Sequence, residues 1–364
     1  MSSQIYDKKI PQGWGVTKLG DIVNFFDNLR IPVAASLRKF GTTPYYGANG
    51  IQDYVDGFTH NGEFVLIAED GANDLINYPV NYVNGKIWVN NHAHVVSGKN
   101  KIIDNKFLSY CLKITNFSKF LVGGTRAKLN ASILKNIEIL LPKDIKEQTK
   151  IAQILSDADE LINVKCGLLD KKRAIKQAAS QQLLTPKPHW HTATLGEICK
   201  YIKTGKLDAN AMEENGEFPF FTCAKKVYRI NKYNFDLEAL LISGNGANVG
   251  YIHYYKGKFN AYQRTYVLSD FSCNIFYLKN FLDLKLQERI EKEVRSGNTP
   301  YITMDTLVDM WISFPNLSEQ TKIAKILSDM DDEISALQDE IEKLKIIKQG
   351  AIDELLSGKI RLKG

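Results

Sequence analysis

A near-identical stretch occurs twice in this chain, at a constant separation of 172 residues. The first copy, Glu147–Asp159, reads EQTKIAQILSDAD, and the second, Glu319–Asp331, reads EQTKIAKILSDMD, so eleven of the thirteen positions are identical. The likeness continues without a gap, because Ile175–Gln177 recurs as Ile347–Gln349. A match of this length at one offset predicts that the chain contains two copies of one unit.

The region before each copy also begins alike. Trp14–Val23 reads WGVTKLGDIV and returns as WHTATLGEIC at Trp190–Cys199. Short apolar and aromatic runs follow, and glycine, asparagine and proline interrupt them, which is typical of strands. The predicted elements are strands at Glu63–Ala68 and Lys86–Asn90, helices at Asp104–Phe120 and Asn280–Ser296, and final strands at Ile133–Leu141 and Leu307–Phe314.

The repeated stretches open two long helical segments. In the second, apolar residues step by four and three, which predicts a coiled-coil seam interrupted at Lys348. In the first, the stripe begins in the same way, and the glycine at 167 predicts a bend or fraying, since glycine weakens a helix by about 1 kcal/mol relative to alanine. Asp144 and Glu147 are spaced as a capping box. The predicted seams are Ile323, Leu327, Met330, Ile334, Leu337, Ile341, Leu344, Ala351 and Leu355 in the second helix, and Ile151, Leu155, Ala158, Ile162, Val164, Leu168, Ile175 and Ala178 in the first.

These patterns predict an α+β fold with an internal pseudo-twofold repeat. Two similar mixed α/β domains would be separated by two long helices that pair as an antiparallel coiled coil, which holds the domains apart and inverted relative to one another. The predicted boundaries are 1–142 and 186–314 for the two domains, 143–185 for the first helix, and 315–364 for the second helix with a C-terminal tail. Such an inverted pair suits a two-part site on duplex DNA.

Composition limits the class of protein. With 44% apolar residues the chain can bury two cores, and a net charge of +6 permits nucleic-acid binding without requiring it. The five cysteines are far apart and never form a CxxC pair, which favours reduced thiols and a cytoplasmic location. We find neither a signal peptide nor an apolar run long enough to span a bilayer, so no membrane partner is expected.

The repeated EQ-x-x-Ile-Ala-x-x-Leu entry to each helix, in this domain and helix layout, resembles the specificity (S) subunit of type I restriction–modification systems, over essentially the whole chain. The resemblance implies two target-recognition domains, each reading one half of a bipartite, asymmetric duplex DNA target, with helix length setting the gap. It implies no catalysis by the chain itself. The implied partners are duplex DNA and two adenine-N6 methyltransferase (M) subunits, and it leaves open whether two restriction (R) translocase subunits join. S-adenosylmethionine, Mg and ATP would be cofactors of partner subunits, and none is expected on this chain.

The motifs that would favour other functions are weak. The chain has no Asn/Asp-Pro-Pro-aromatic run and no Walker A motif, which disfavours a self-contained methyltransferase or nuclease. Gly244, Gly246 and Gly250 are spaced GxGxxxG, which favours a tight turn over a cofactor loop. His92 and His94 share one strand face without an evident third ligand, so we assign no metal site. A coiled-coil adaptor that holds proteins and lacks DNA specificity remains the alternative function.

Candidate DNA contacts are the polar and basic loop residues, because base edges and phosphates are bound by such side chains. Charged helix residues such as Asp157, Asp159, Lys171 and Lys172 are either a solvated face or a docking face for a methyltransferase subunit. We assign no catalytic residue. The candidates are Arg30, Arg38, Lys39, Tyr45, Tyr46, Asn49, Asn73, His92, Arg126 and Lys128 in the first domain, and Lys225, Lys226, Arg229, Asn245, Asn248, Gln263, Arg264, Asn298 and Thr299 in the second.

Overall fold

The structure, a computed structural model, describes residues 10–123, 127–293 and 301–362. The chain divides into two compact units, one made of residues 1–165 and 340–364 and the other of residues 166–339. Each unit contains one mixed α/β domain, which we call head 1 (residues 10–142) and head 2 (residues 186–314). Each unit also contains parts of two long helices.

Head 1 is built around a six-stranded mixed sheet. The elements of head 1 are β1 (Trp14–Lys18), α1 (Leu19–Ile22), β2 (Val23–Phe25), β3 (Phe40–Gly47), β4 (Gly50–Val55), β5 (His60–Ala68), β6 (Val80–Val89), β7 (Ala93–Gly98), α2 (Asn105–Lys113), α3 (Ala131–Lys135) and β8 (Glu138–Pro142). The sheet has the order β2-β7-β5-β6-β3-β4. The β3–β6 pair is parallel and the other neighbours are antiparallel. Strands β1 and β8 pair separately, so the first and last strands of the head lie together.

The long helices and head 2 complete the chain. The helices are α4 (Ile145–Leu183) and α8 (Leu317–Leu355). The elements of head 2 are β9 (His191–Thr194), α5 (Leu195–Ile198), β10 (Cys199–Thr204), β11 (Phe218–Phe221), β12 (Tyr228–Ile230), β13 (Phe235–Ser243), β14 (Ile252–Ala261), β15 (Thr265–Phe271), α6 (Ile275–Glu293), α7 (Met304–Val308) and β16 (Trp311–Phe314).

Head 2 repeats the topology of head 1 element by element. Its six-stranded sheet has the order β10-β15-β13-β14-β11-β12, with the equivalent β11–β14 pair parallel, and β9 pairs with β16. Since both the chain order and the parallel pair recur, the predicted fold class and internal repeat are confirmed. The heads differ in the length of one helix, because α2 has 9 residues and α6 has 19.

Several predicted boundaries inside the heads were wrong. The predicted helix Asp104–Phe120 ends at Lys113, and the helix predicted from Asn280 begins earlier, at Ile275; its predicted end, Ser296, lies outside the described residues. Each predicted final strand is a helical turn followed by a shorter strand, namely α3 then β8 and α7 then β16. A short apolar run fits either a buried helical turn or a strand, which is why periodicity failed here.

The glutamine of the repeated EQ motif joins each head to its helix. In unit 1 the buried amide of Gln148 donates to the carbonyls of Pro142 (2.8 Å) and Ile102 (3.0 Å). Its carbonyl oxygen accepts from the backbone N–H of Asp104 (2.9 Å), the residue that caps α2. One side chain therefore holds together the end of β8, the start of α2 and the start of α4.

Gln320 does the same in unit 2. Its amide donates to the carbonyl of Pro315 (2.8 Å), and its oxygen accepts from the backbone N–H of Asn274 (2.8 Å). The side chain of Asn274 accepts from the N–H of Tyr277 and so caps α6. The capping box predicted from Asp144 and Glu147 does not form, because the carboxylate of Glu147 is bound by Arg361 instead.

The two long helices run antiparallel within each unit, as predicted. In unit 1, Lys165 pairs with Glu340 (2.6 Å) and Asp159 pairs with Lys348. In unit 2, Lys172 pairs with Glu333 (2.6 Å) and Lys176 pairs with Asp331 (2.5 Å). In both units the residue number rises on one helix as it falls on the other. Helix α4 is assigned without a break through position 167, so the predicted fraying there was wrong.

The predicted seam on α4 was wrong after Ile162. Val164, Leu168 and Ile175 are 63%, 43% and 59% exposed, so they do not face α8. The inward stripe instead keeps the spacing of four and three by passing through three lysines, Lys165, Lys172 and Lys176, which bind carboxylates of α8. Lysine buries its aliphatic stem while its charge finds a partner at the edge of the seam, which explains the misassignment. Ala178 is exposed as well.

Within the described ranges, every helix is too short or too polar to cross a lipid bilayer. The five cysteines are free thiols; Cys111 and Cys199 are buried and the other three are half-buried.

Candidate nucleic-acid interface

The loop that follows β5 in head 1 is held by main-chain contacts from two other segments. It contains Asp70–Asn73, and we call it the DGAN loop. The N–H of Glu69 donates to the carbonyl of His92 (2.9 Å), and the carbonyl of Glu69 accepts from the N–H of Leu129 (2.7 Å). Gly71 has φ +68°, a conformation that glycine adopts without a steric penalty. These main-chain contacts and the glycine therefore help to fix the path of the loop.

The equivalent loop of head 2, after β13, is held in the same way. It contains Asn245–Asn248, and we call it the NGAN loop. The N–H of Gly244 donates to the carbonyl of Arg264 (2.8 Å), and the carbonyl of Gly244 accepts from the N–H of Ile302 (2.9 Å). Gly246 has φ +77° and opens a 3₁₀ turn, so this stretch is the tight turn that the sequence predicts.

A charge cluster surrounds the DGAN loop in head 1. The carboxylate of Glu69 accepts from Arg30 (2.7 Å) and pairs with Lys128 (2.9 Å). Burial alone would raise the pKa of Glu69, but the hydrogen bonds from Arg30 and Lys128 outweigh it and lower that pKa. The side chain of Arg30 is 15% exposed, so this predicted DNA contact is committed to an internal ion pair. Lys128 remains about half exposed and available at the surface.

His94 is buried, whereas the His92 side chain is 35% exposed. One ring nitrogen of His94 lies 2.6 Å from the carboxylate of Asp27, which also accepts from the N–H of Val95 (2.8 Å). Asp27, Glu69 and His94 offer donor atoms within 4.8 Å of one another, so two acidic ligands, overlooked in the sequence, lie beside this histidine. Because hydrogen bonds and ion pairs already use both carboxylates, the cluster reads as an internal support of the loop.

Three predicted contacts converge on the DGAN loop. The amide of Asn49 donates to the carbonyl of Gly71 (3.0 Å), and its oxygen accepts from the N–H of Asn73 (2.9 Å). The ring of His92 lies 2.5 Å from the carboxylate of Asp70. Asn49 and Asn73 are exposed, and the His92 side chain is 35% exposed. Residues that are distant in sequence thus form one polar surface with Lys128.

Two other predicted contacts of head 1 belong to its interior. Tyr45 is 1% exposed, and its hydroxyl accepts from the N–H of Val33 (2.9 Å). The guanidinium of Arg38 lies over the Tyr45 ring (4.1 Å) and donates to Asp53 (3.3 Å). Both side chains shape the β3–β4 edge of the sheet and are poorly placed to reach a ligand.

The NGAN loop fixes the neighbouring loop of head 2, residues 222–227. The amide of Asn248 donates to the carbonyl of Cys223 (3.1 Å), and a ring nitrogen of His253 lies 3.1 Å from the carbonyl of Ala224. Burial lowers the pKa of His253, which favours the neutral ring at this contact. The 222–227 loop is therefore held firmly beneath the lysines that it presents.

Those two lysines each extend over a tyrosine ring. Lys225 lies 5.5 Å from the centroid of Tyr251, and Lys226 lies 5.7 Å from that of Tyr228. Lys225 and Tyr251 also line a cleft of about 310 Å³ together with Gln287 of α6. Exposed cations held beside aromatic faces suit contacts with a phosphate backbone and stacked bases.

The remaining predicted contacts of head 2 differ in the hydrogen bonds that their side chains already make within the protein. Arg229 is exposed, but its guanidinium donates to both carbonyls of residues 216–217. Gln263 is exposed and makes a long contact with Asp208 (3.5 Å). The exposed guanidinium of Arg264 makes no ion pair or hydrogen bond within the part of the chain that the structure describes. Arg264 is thus the best placed of these side chains to bind an external ligand.

The other six predicted residues include three that the structure describes. Lys39 is exposed, Tyr46 is half-buried, and the half-buried Asn245 forms a backbone bridge with Tyr301. Arg126, Asn298 and Thr299 lie outside the described residues.

Comparison with known proteins decides the family. A family model described as the type I restriction modification DNA specificity domain matches residues 11–171 and 188–345, once for each repeat. The chain belongs to this family. In a type I restriction–modification system its role is that of the specificity subunit, so head 1 and head 2 are its target-recognition domains.

Relatives and solved structures agree with this assignment. S.HindORF215P of Haemophilus influenzae, named as a type I restriction enzyme specificity subunit, is 34% identical over 339 residues, 85% of each chain. The Escherichia coli EcoDI specificity subunit is 38% identical over 178 residues, 47% of this chain and 38% of that one. A crystal structure of a type I S subunit from M. genitalium superposes with a TM-score of 0.75 at 19% identity, over 96% of this chain and 97% of that one. That superposition shows a shared fold.

Some residues that build or support the candidate interface were missed in the sequence. Glu69 has no counterpart in head 2, where Gly244 takes its place, so the repeat did not mark it. Tyr251 looked like an ordinary strand residue, and its place beneath Lys225 depends on folding. The paired glutamines at 148 and 320 were visible in the repeat, but their joining role was not.

Proposed function

We propose that head 1 and head 2 each read one half of a bipartite, asymmetric duplex DNA target. One observation carries this proposal: the DGAN and NGAN loops are held by equivalent backbone hydrogen bonds and a left-handed glycine. The surrounding side chains nevertheless differ, since His92 and Lys128 of head 1 occupy the places of Arg264 and Tyr301 in head 2. A common framework with unlike surface chemistry suits two readers of different half-sites.

The residues that meet DNA in this proposal are those left exposed around the two loops. In head 1 they are Asn49, Asn73, His92 and Lys128, and Lys39 adds a cation on a neighbouring segment. In head 2 they are Lys225, Lys226, Gln263 and Arg264. Amides and arginine can read base edges, while lysines bind phosphates and position the protein.

The test is the DNA-binding and methylation pattern of the intact assembly. Methylation-site sequencing of DNA from cells that express this chain with its methyltransferase should reveal one two-part motif. Arg264→Ala should relax or weaken recognition of a single half of that motif. Arg229→Ala is the matched control in the same head, because that guanidinium is bound to backbone carbonyls. An unchanged motif and unchanged affinity for Arg264→Ala, Lys225→Ala and Asn73→Ala would contradict the assignment of the interface.

The long helices set the spacing between half-sites in this proposal. Each helix has 39 residues, hence a length of about 58 Å at ~1.5 Å per residue. Matched insertions of one turn in α4 and α8 should change the number of unread base pairs in the target. The same gap in wild-type and lengthened proteins would contradict the ruler role.

The helices also dock the methyltransferase subunits in this proposal. On α4, Ile154, Leu161 and Val164 in unit 1 and Leu168 and Ile175 in unit 2 are 43–63% exposed. A patch of exposed apolar side chains on one helix face marks a protein contact, whereas single scattered ones do not. Replacing Leu161 or Val164 by glutamate should weaken binding of a methyltransferase subunit and leave DNA binding by the free chain intact.

Chemistry resides on the partner subunits in this proposal, and S-adenosylmethionine, Mg and ATP bind there. The purified chain alone should transfer no methyl group and cut no DNA, whereas addition of the methyltransferase subunits should restore methylation. Whether R subunits join is a question for the same reconstitution. We expect a cytoplasmic location, where the chain meets its DNA.

The adaptor alternative receives no support from family membership. It predicts duplex binding that is absent or insensitive to salt, whereas a DNA reader that contacts phosphates loses affinity steeply as salt rises. A salt titration of the free chain with duplex DNA therefore separates the two functions.

A further inference from the structure

A cleft of about 370 Å³ opens in unit 2 between α6 and the paired long helices. Asn280, Asp283 and Leu284 of α6 line one side. Lys176 of α4 and Asp331 of α8 line the other. Its walls combine apolar surface with charged groups, and its volume lies near the lower end of the roughly 300–1,000 Å³ found for small-ligand sites.

The equivalent place in unit 1 is filled by the protein itself. Tyr110 extends from α2, and its hydroxyl donates to the carboxylate of Asp159 on α4 (2.7 Å). Lys348 of α8 binds the other oxygen of that carboxylate. A phenol from the head thus occupies the space against the helix pair, which makes unit 1 closed at this point.

The correspondence of the two places follows from the repeat. Tyr110 lies six residues after the α2 cap at position 104, and Asn280 lies six residues after the α6 cap at position 274. The pair Asp159–Lys348 corresponds to Asp331–Lys176 at the 172-residue separation of the repeat. The cleft is therefore the site at which unit 1 holds a tyrosine and unit 2 holds an asparagine.

Asn280 does not close this site. Its amide donates to the carbonyl of Phe276 on its own helix (2.8 Å), so the side chain lies back along α6. Lys176 binds one oxygen of Asp331 (2.5 Å), and among the described residues no hydrogen bond engages the other oxygen. The acceptor that receives a phenol in unit 1 is present and open in unit 2.

We propose that this cleft is a docking notch for a phenol side chain, a tyrosine, of the methyltransferase subunit that binds unit 2. The proposal rests on the proposed function, because it assumes that such a subunit docks on the long helices. The occupant is argued from unit 1, where Tyr110 shows which group the same surroundings accept. Tyrosine is also a frequent anchor of protein interfaces, since it combines a large apolar face with one hydrogen-bond donor. Two copies of one methyltransferase would then meet unlike sites on the two units.

The direct test is to fill the notch with a tyrosine of this protein itself. The full-length Asn280→Tyr protein should reproduce the closed state of unit 1, so binding of the methyltransferase at unit 2 should weaken at least tenfold. Asn280→Ala, which leaves the notch open, is the matched control and should bind as the wild type does. Affinity and stoichiometry can be measured by titration calorimetry and by mass determination of the assembly in solution.

A second readout does not depend on the folding of that variant. A photo-crosslinking amino acid at Gln177, which lines the notch, should crosslink to the methyltransferase, whereas the same group at Glu288 on α6 should not. Wild-type affinity for Asn280→Tyr, or a crosslink absent at Gln177, overturns the notch while leaving the specificity-subunit role intact. Failure of the wild-type chain to bind any methyltransferase would instead contradict the proposed function, and the notch with it.

Discussion

The glutamate of the repeated EQ motif binds different partners in the two units. In unit 1 the carboxylate of Glu147 accepts from two nitrogens of Arg361 at 2.7 and 2.8 Å, and its side chain is 4% exposed. In unit 2 the carboxylate of Glu319 faces Lys187 (3.1 Å) and His189 (3.3 Å), and its side chain is 28% exposed. In unit 1 the glutamate is thus bound by a residue that follows α8, and in unit 2 by two residues of the segment that links α4 to head 2.

The glutamine of the EQ motif has the same structural role in both units, whereas the glutamate can bind different partners. The glutamine makes the same buried contacts in each unit. The glutamate changes partner, from a planar guanidinium that binds both oxygens to a lysine and a histidine near solvent. Arginine and lysine are not equivalent in such a contact, because only arginine presents two parallel N–H donors.

The largest expected effect is common to both units. Gln148→Leu and Gln320→Leu each leave a buried backbone N–H and at least one carbonyl unpaired, so each should destabilise its own unit by about 3 kcal/mol. Amide hydrogen exchange of α2 and α6 measures this locally, which is needed because unfolding of a two-unit chain is not one transition. If only one of the two substitutions destabilised its own unit, the shared glutamine contacts would not be equivalent.

The closing contacts should differ in strength. Arg361→Ala removes two charge-assisted hydrogen bonds from a buried carboxylate and should destabilise unit 1 by about 2 kcal/mol. Lys187→Ala removes an ion pair near solvent, which is screened by water, and should destabilise unit 2 much less than Arg361→Ala destabilises unit 1. Urea unfolding monitored by exchange in each unit compares the two. Equal losses would mean that burial of the carboxylate does not set the strength of the contact.

The pH dependence of local stability tests the same contact of Glu147 with Arg361. The hydrogen bond from Arg361 lowers the pKa of Glu147, so the folded carboxyl is more acidic than the unfolded one. The stability from this group is then full above the ordinary glutamate value, ~4.3, and is lost as pH falls through the lower folded value. Local stability of unit 1 should fall between about pH 5 and pH 3, and Arg361→Ala should flatten that slope. A slope that is unaffected by Arg361→Ala would place the acid sensitivity in other carboxyls.

The helix pair was largely predictable from the sequence. The repeat and the steps of four and three predicted two long helices that pair antiparallel, and within each unit α4 and α8 do run antiparallel. The path of the seam on α4 was missed because Lys165, Lys172 and Lys176 look polar in sequence, and only their partners on α8 explain why they lie there. A pattern of apolar residues cannot show an ion pair between positions some 160 residues apart.

The candidate interface was predicted less well, for a similar reason. Loops with asparagine, glycine and basic residues were chosen as a group, and Asn49, Asn73, His92 and Lys128 do meet around the DGAN loop. That they contact DNA stays a prediction. Arg30 shares every sequence property of a DNA contact, yet it binds Glu69, which is 39 residues away. Whether an arginine faces solvent or an internal carboxylate depends on chain packing, and no local pattern records it.

The smallest expected effect is that of replacing Tyr110, which in unit 1 stands where unit 2 has Asn280. Tyr110→Phe removes one hydrogen bond to Asp159 and should destabilise the contact between α2 and α4 by about 1 kcal/mol, while Lys348 keeps its ion pair. Burial, together with the hydrogen bond to Asp159, raises the pKa of Tyr110 well above its usual value, so the phenol stays protonated. The loss should therefore be the same from pH 6 to pH 9, in contrast to the acid-sensitive contact of Glu147. Asn280→Ala in unit 2, whose side chain bonds only within its own helix among the described residues, should change exchange in α4 by much less. If the two substitutions affected α4 equally, Tyr110 would not hold the head of unit 1 to its helices. Tyr110 and Asn280 would then contribute alike to the contact between head and helix in the two units.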